Sequence, residues 1–214
     1  MRSPRRYPEL FWRPADGTGR DERLLARAKD LVDLLGDGWS PDGRQLLFTK
    51  VPPSIQCAIG QIAIERPSDA NVLLKSEFCN SFAAVSPDGR WMAYQSTVSG
   101  RSEIYVERYP ALGNRQKIST GGGSRPLWSR DGRELFFGSL EGRQMLAVPV
   151  QPGTTLVAGR PQVLFDAMAV GAASSRPYDI APDGRFFIIR SVLVRGSRVV
   201  HAHSTHRDQS VRAS

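Results

Sequence analysis

The chain has 214 residues, 40% of them hydrophobic and 23% charged, with a net charge of +8 and a pI near 10.1. That balance belongs to a globular protein rather than a disordered one, and no apolar run is long enough to make a membrane span. The positive charge is no nucleic-acid signature: 4 of the 29 basic residues are lysines, the arginines are spread along the whole chain, and no basic run is interleaved with aromatics, so no nucleic-acid partner is expected.

At the amino end, Arg2, Arg5 and Arg6 precede no apolar stretch and no small-residue cleavage site, so no secretory leader is read and residues 1–6 are expected to be disordered. With neither leader nor span, the default location is the cytoplasm. Residues 7–28 read as two strands, Leu10-Phe11-Trp12 being in the first, with an Asp16-Gly17 turn between them. Leu24, Leu25, Ala28, Leu31, Val32 and Leu35 recur with helical spacing behind Asp21 as a potential N-cap, and Gly36 would stop such a helix. The phase of the later repeats asks for strands near 22–27 and 34–40 instead, and the sheet reading is preferred over the helix.

The most informative pattern is a corner that returns four times: Ser40-Pro41-Asp42-Gly43-Arg44, Ser86-Pro87-Asp88-Gly89-Arg90, Ser129-Arg130-Asp131-Gly132-Arg133 and Ala181-Pro182-Asp183-Gly184-Arg185. Proline presets φ, aspartate folds back on its own backbone, and glycine accepts a positive φ. A strong apolar strand follows each corner: Gln45–Thr49, Trp91–Gln95, Glu134–Gly138 and Phe186–Arg190. More alternating strands come next at Gln61–Glu65, Glu103–Glu107 and Gln144–Val148. Weaker ones complete the units at Val72–Leu74, Arg115–Ile118 and Gln162–Phe165, and Gly121-Gly122-Gly123 reads as a joint between units.

The corner aspartates are spaced 46, 43 and 52 residues apart, the length of a four-stranded propeller blade. The expected fold is therefore all-β, a partial or small propeller of about four blades, each a four-stranded antiparallel sheet. One domain over 7–203 would hold units at 7–28, 36–76, 80–119, 124–166 and 175–203, with 204–214 a polar tail. The strands left over at the two ends could combine into one blade and close the ring; an open ring would leave edges available for self-association.

These corners and their strands resemble the TolB-like (WD-repeat-like) β-propeller repeats, and more narrowly the carboxy-terminal propeller fused to bacterial serine/threonine protein kinases. The resemblance runs over about residues 8–192. It is carried by Leu10–Gly19, Ser86–Ser96, Gly100–Val106, Ile118–Gly123, Trp128–Phe136 and Tyr178–Arg185. It implies a non-catalytic scaffold or sensor module for a protein or peptide partner, with no cofactor. Propellers fused to membrane-anchored kinases are expected outside the membrane. The alternative is the substrate-gating propeller of a prolyl-oligopeptidase-type peptidase without its hydrolase domain, or a truncated gene remnant. The chain departs from the family in its last strand, Arg198–His203, which is more polar than the family's apolar run.

No catalytic constellation is present. There is no kinase phosphate loop, no Asp-Phe-Gly sequence and no Gly-x-Ser-x-Gly elbow; His206-Arg207-Asp208 stands in the polar tail and lacks the asparagine that follows in a kinase catalytic loop. His201, His203 and His206 have a spacing that could suit zinc on a strand, but they sit in what reads as a frayed terminus, and no metal is assigned. The residues singled out, Asp42, Gly43, Asp88, Gly89, Asp131, Gly132, Asp183 and Gly184, are given a structural role in the corners. Trp12, Trp39, Trp91 and Trp128 are expected to pack between blades rather than stack on a ligand. Cys57 and Cys79 form no metal motif; two buried free thiols are expected, with a disulfide as the open alternative.

Overall fold

The computed structural model describes residues 9–25, 31–151, 153–166, 176–194 and 197–205, and contains no helix among them. Consequently no helix there is long and apolar enough to cross a membrane. The expected disorder of residues 1–6 falls outside this range, as does most of the 204–214 tail.

Strands β1 (Leu10–Trp12) and β2 (Glu22–Leu25) form an antiparallel hairpin. Three larger sheets come after it. The first joins β3 (Asp33–Trp39), β4 (Gln45–Val51), β5 (Ala58–Ala63) and β6 (Arg66–Leu74) in sequence order. The second does the same with β7 (Asn80–Val85), β8 (Trp91–Ser96), β9 (Glu103–Arg108) and β10 (Gln116–Lys117). The third runs β11 (Ser124–Trp128), β12 (Glu134–Gly138) and β13 (Gln144–Gln151); its outer strand is broken into β14 (Val157–Ala158) and β15 (Gln162–Asp166), which pair with opposite ends of β13. Last come β16 (Tyr178–Ile180), β17 (Phe186–Val194) and β18 (Ser197–Thr205). The helical alternative over 21–35 fails where it is described: β2 and β3 occupy that stretch, and Leu24 is buried against Phe48 and Ile62 of the first sheet.

The sheets stack in chain order. Leu10 and Trp12 of the hairpin pack on the first sheet. Leu47 and Ile59 of that sheet meet Ala83, Met92 and Tyr94 of the second. Trp91, Ala93 and Val106 meet Leu135, Phe137 and Val148 of the third. Phe136 and Met145 meet Tyr178, Phe186 and Ile188 of the last. A middle strand is therefore apolar on both faces because each face meets a different neighbour. Two expectations need correction. Not every unit is a four-stranded sheet, and among the described residues the strands at the two ends do not share one: β1 and β2 pair there with each other, while β16–β18 make a separate sheet.

Cys57 and Cys79 are joined in a disulfide, so the expectation of free thiols is also corrected. Cys57 precedes β5 and Cys79 precedes β7. The Asn80 N–H donates to the Cys57 carbonyl at 3.0 Å, which brings the two Cα atoms to 4.1 Å and bridges the first sheet to the second. This contact depends on the packing of one sheet on another, which spacing along the chain does not reveal.

Candidate functional site

The corners set where the sheets begin. In the first three, the serine hydroxyl donates to the aspartate Oδ1 at 2.5, 2.6 and 2.6 Å and accepts the N–H of the first strand residue, Gln45, Trp91 or Glu134, at 2.9–3.0 Å. The same Oδ1 accepts the N–H of Arg44, Arg90 or Arg133. Those bonds, the one from the serine hydroxyl first, hold the Asp42 and Asp131 carboxyls below their ordinary range. Gly43, Gly89 and Gly132 take φ near +70°, a conformation that side chains strain.

The fourth corner differs. Ala181 has no hydroxyl to receive a strand N–H, and the ladder closes one residue sooner: the Ala181 N–H donates to Arg185, whereas the Ser129 N–H reaches Glu134. Gly184 keeps its positive φ and Asp183 still accepts the Arg185 N–H at 3.1 Å. The one-residue difference sets which face of β17 looks inward.

Each corner follows an innermost strand, and β3, β7, β11 and β16 converge on a cavity of about 240 Å³. Its wall is pseudo-symmetric. The residue just before each corner, Trp39, Val85, Trp128 and Ile180, lines it, as does the residue before that, Gly38, Ala84, Leu127 and Asp179. These are equivalent positions in four successive sheets, which identifies the cavity as the axial space of the fan. The corner aspartates and glycines lie outside this lining, whereas Pro87, Ser129 and Arg130 of the corners are part of it.

Bulges in the innermost strands stitch the sheets together around that space. Phe82 and Arg125, at register shifts in β7 and β11, take φ of 56° and 55°. Their backbone N–H groups reach back to the preceding sheet, Phe82 to the Thr49 hydroxyl at 3.1 Å and Arg125 to the Gln95 side-chain oxygen at 3.2 Å. The Arg125 guanidinium lies 4.9 Å from the centre of the Phe82 ring, and the Tyr178 hydroxyl donates to the Arg125 carbonyl.

Asp37 is the buried charge of the cavity wall. Its Oδ2 accepts from the Thr49 hydroxyl at 2.7 Å and from the Ala83 N–H at 3.2 Å, which ties the first sheet to the second. Its Oδ1 is buried without a hydrogen-bond partner. Burial pushes the carboxyl up to about 7; those two hydrogen bonds and the Arg176 guanidinium offset this only in part. Arg176 also donates to the Pro126 carbonyl at 3.2 Å, and Arg130 stands exposed on the wall.

The tryptophans divide. Trp91 and Trp128 are buried between the second and third sheets, Trp128 donating its indole N–H to the Ala84 carbonyl at 3.0 Å, and Trp12 packs on the first sheet. Trp39, expected between blades, is instead 51% exposed on the cavity wall. Sequence reading missed Asp37, Arg130 and Arg176. The usable signal was position: the residues just before a repeating corner face the axis.

A second polar cluster secures the Gly121–Gly123 joint between β10 and β11. Glu103, fully buried, accepts from the Ser119 hydroxyl, from Arg101 Nε at 2.8 Å and from the Gly122 N–H at 2.9 Å, with Lys117 Nζ at 3.8 Å. Burial pushes this carboxyl up, and the hydrogen bonds outweigh it, leaving it below its ordinary range.

No group of three potential metal ligands occurs among the described residues. His201 and His203 belong to β18, paired with Arg190 and Ile188 of β17, and His206 lies outside the described residues.

No family model matches the chain, and no curated protein matches it. Solved structures do. TolB from Acinetobacter baumannii superposes with a TM-score of 0.64 at 17% identity, over 91% of this chain and 48% of that one. A TolB-type protein from Agrobacterium tumefaciens gives 0.58 at 23% identity, over 74% and 56%. A puromycin-hydrolyzing peptidase from Mycobacterium tuberculosis gives 0.62 at 18% identity, over 92% and 36%. The chain thus spans about half the length of the TolB structures and about a third of the peptidase. Stacked antiparallel sheets, a repeated corner and an axial cavity, taken with these likenesses, give the chain a TolB-like β-propeller fold.

Proposed function

We propose that the chain is a non-catalytic scaffold or sensor module that binds a protein or peptide at the mouth of its axial cavity, in the manner of the propeller attached to bacterial serine/threonine kinases. The observation that carries this is Trp39, a large half-exposed aromatic on the wall of a cavity that Arg130 and Arg176 also line. Tryptophan and arginine are the residue types that concentrate binding energy at protein interfaces. The corners hold the strands while the wall residues are free to differ, as they do from Trp39 to Val85 to Ile180. The Cys57–Cys79 disulfide favours display in an oxidising compartment.

Panning the purified chain against a random peptide library tests this. Recovered peptides are expected to lose about tenfold or more in affinity on Trp39→Ala, and to lose affinity as well on Arg130→Ala. Peptides that bind both variants as tightly as the parent chain would place the contact surface elsewhere. A second reading, the substrate gate of a peptidase, draws on the likeness in fold to the puromycin-hydrolyzing enzyme. It expects no retained peptide at all, and restored selectivity when the chain is supplied to a hydrolase domain.

A further inference from the structure

Two arginines break the repeat, and both line the axial cavity. Arg130 stands in the third corner where Pro41, Pro87 and Pro182 hold the other three. Proline presets φ at that place, so the arginine forgoes a device that the other corners use. Arg176 lies five residues before its corner, where the other innermost strands carry Leu35, Ser81 and Ser124. Breaks in a local rule concentrate at functional places. Neither guanidinium forms an ion pair among the described residues. Arg130 is exposed and has no hydrogen-bonding partner there. Arg176 is half-buried; the Pro126 carbonyl steadies its Nη1 at 3.2 Å, and it acts on Asp37 only at longer range, which leaves most of its N–H groups uncommitted.

Two carboxyl groups share the wall. Asp37 is turned between the first and second sheets: its Oδ2 is taken by Thr49 and Ala83, its Oδ1 is buried, and burial pushes it up to about 7. Asp179 is exposed, and its Oδ1 accepts the N–H of its neighbour Ile180 at 2.8 Å. The rest of the wall is largely apolar, with Trp39, Val85 and Leu127 on it. We propose that the peptide bound at this cavity presents a carboxylate to Arg130 and Arg176, with the apolar part of the same residue against Trp39. This rests on the reading of the chain as a peptide-binding module and adds which peptides it selects. Guanidinium groups match carboxylates in shape and charge, and the committed state of Asp37 leaves Asp179 as the opposing charge. A chain's C-terminal carboxylate and the side chain of an internal aspartate or glutamate share this chemistry. Innermost-strand ends face the axis in a ring of any number of sheets, so the site does not depend on the ends of the sequence.

A bead-bound library of short synthetic peptides, made once with a free C-terminal carboxylate and once with a C-terminal amide, tests this on the full chain. Retained sequences are expected to carry a carboxylate. Where it is the C-terminal one, the amide form is not retained; where it is a side chain, the amide form is retained and the glutamine or asparagine version is not. In solution, neutralising that carboxylate should weaken binding to the parent chain about tenfold or more, and binding to Arg130→Gln or Arg176→Gln about twofold or less. Asp179→Asn, which removes the like charge, should tighten it. Arg130 is exposed and unpartnered, so its replacement spares the fold, and circular dichroism checks the Arg176 variant. Peptides that bind equally well with the carboxylate neutralised, yet weaken on Trp39→Ala, would overturn this inference and leave the peptide-binding reading standing. Retained peptides rich in lysine or arginine, weakened by Asp179→Asn, would also overturn it. No retained peptide in either form would overturn both.

Discussion

At the scale of single residues, Asp37 makes the clearest demand on experiment. Its carboxyl ordinarily titrates near 3.8 and is pushed up to about 7 in the folded chain. Between those values the folded state holds a proton that the unfolded state has released. The free energy of unfolding therefore falls as pH rises across that window, by on the order of 4 kcal/mol in full. Asp37→Asn keeps an oxygen for Thr49 and the Ala83 N–H and removes the titration. Chemical melts on both sides of the window should show the parent chain losing stability toward alkaline pH relative to the variant; parallel curves would mean that another group titrates. The corner serines give a second prediction. Ser86→Ala removes the donor to Asp88 and leaves the Trp91 N–H, a buried group, without its Ser86 oxygen, which should cost about 1–3 kcal/mol in a urea melt. Ala181 is this chain's own example of a corner built without the hydroxyl, and its shortened ladder shows how the backbone adjusts.

At the scale of elements, the joint at Gly121–Gly123 is fixed by close approach. A Cβ on Gly123 would stand 2.7 Å from Ile104 Cγ1 and 3.0 Å from Phe137, both buried between the second and third sheets. Gly123→Ala should therefore destabilise the chain by about 1–3 kcal/mol through overpacking, read as a lower denaturation midpoint with an unchanged slope. An unaltered midpoint would show that the two sheets separate easily there. Much of this layer was legible in the sequence, because turn chemistry is local: the four corners, the strands behind them and the glycine joint all announce themselves within a few residues. What was not legible depends on neighbours in space. β5 begins at Ala58, ahead of the expected Gln61, because its first residues pair with Lys50 and Thr49 of β4. Asp37 sits between two glycines and is marked as a buried carboxylate only by Thr49 and Ala83, which lie 12 and 46 residues away. Trp39 and Trp128 occupy equivalent places in their repeats, yet only Trp128 has a carbonyl, that of Ala84, within reach of its indole, and only Trp128 is buried.

At the scale of the whole molecule, the fan is held by its inter-sheet contacts, and one of these is covalent. The disulfide closes a loop of 22 residues between the first two sheets and should contribute about 3 kcal/mol. Replacing both cysteines by serine should lower the melting temperature by several degrees, and a reducing agent should do the same to the parent chain but not to the variant. If reductant leaves the parent's melting curve unmoved, the bridge adds nothing to stability. The same bond has a mechanical meaning. When the chain is stretched from its two ends, tension passes from Cys57 to Cys79 through sulfur, and β5 and β6 never carry load. The oxidised protein should then yield a final extension about 70 Å short of the reduced one, a shortfall that single-molecule pulling can resolve.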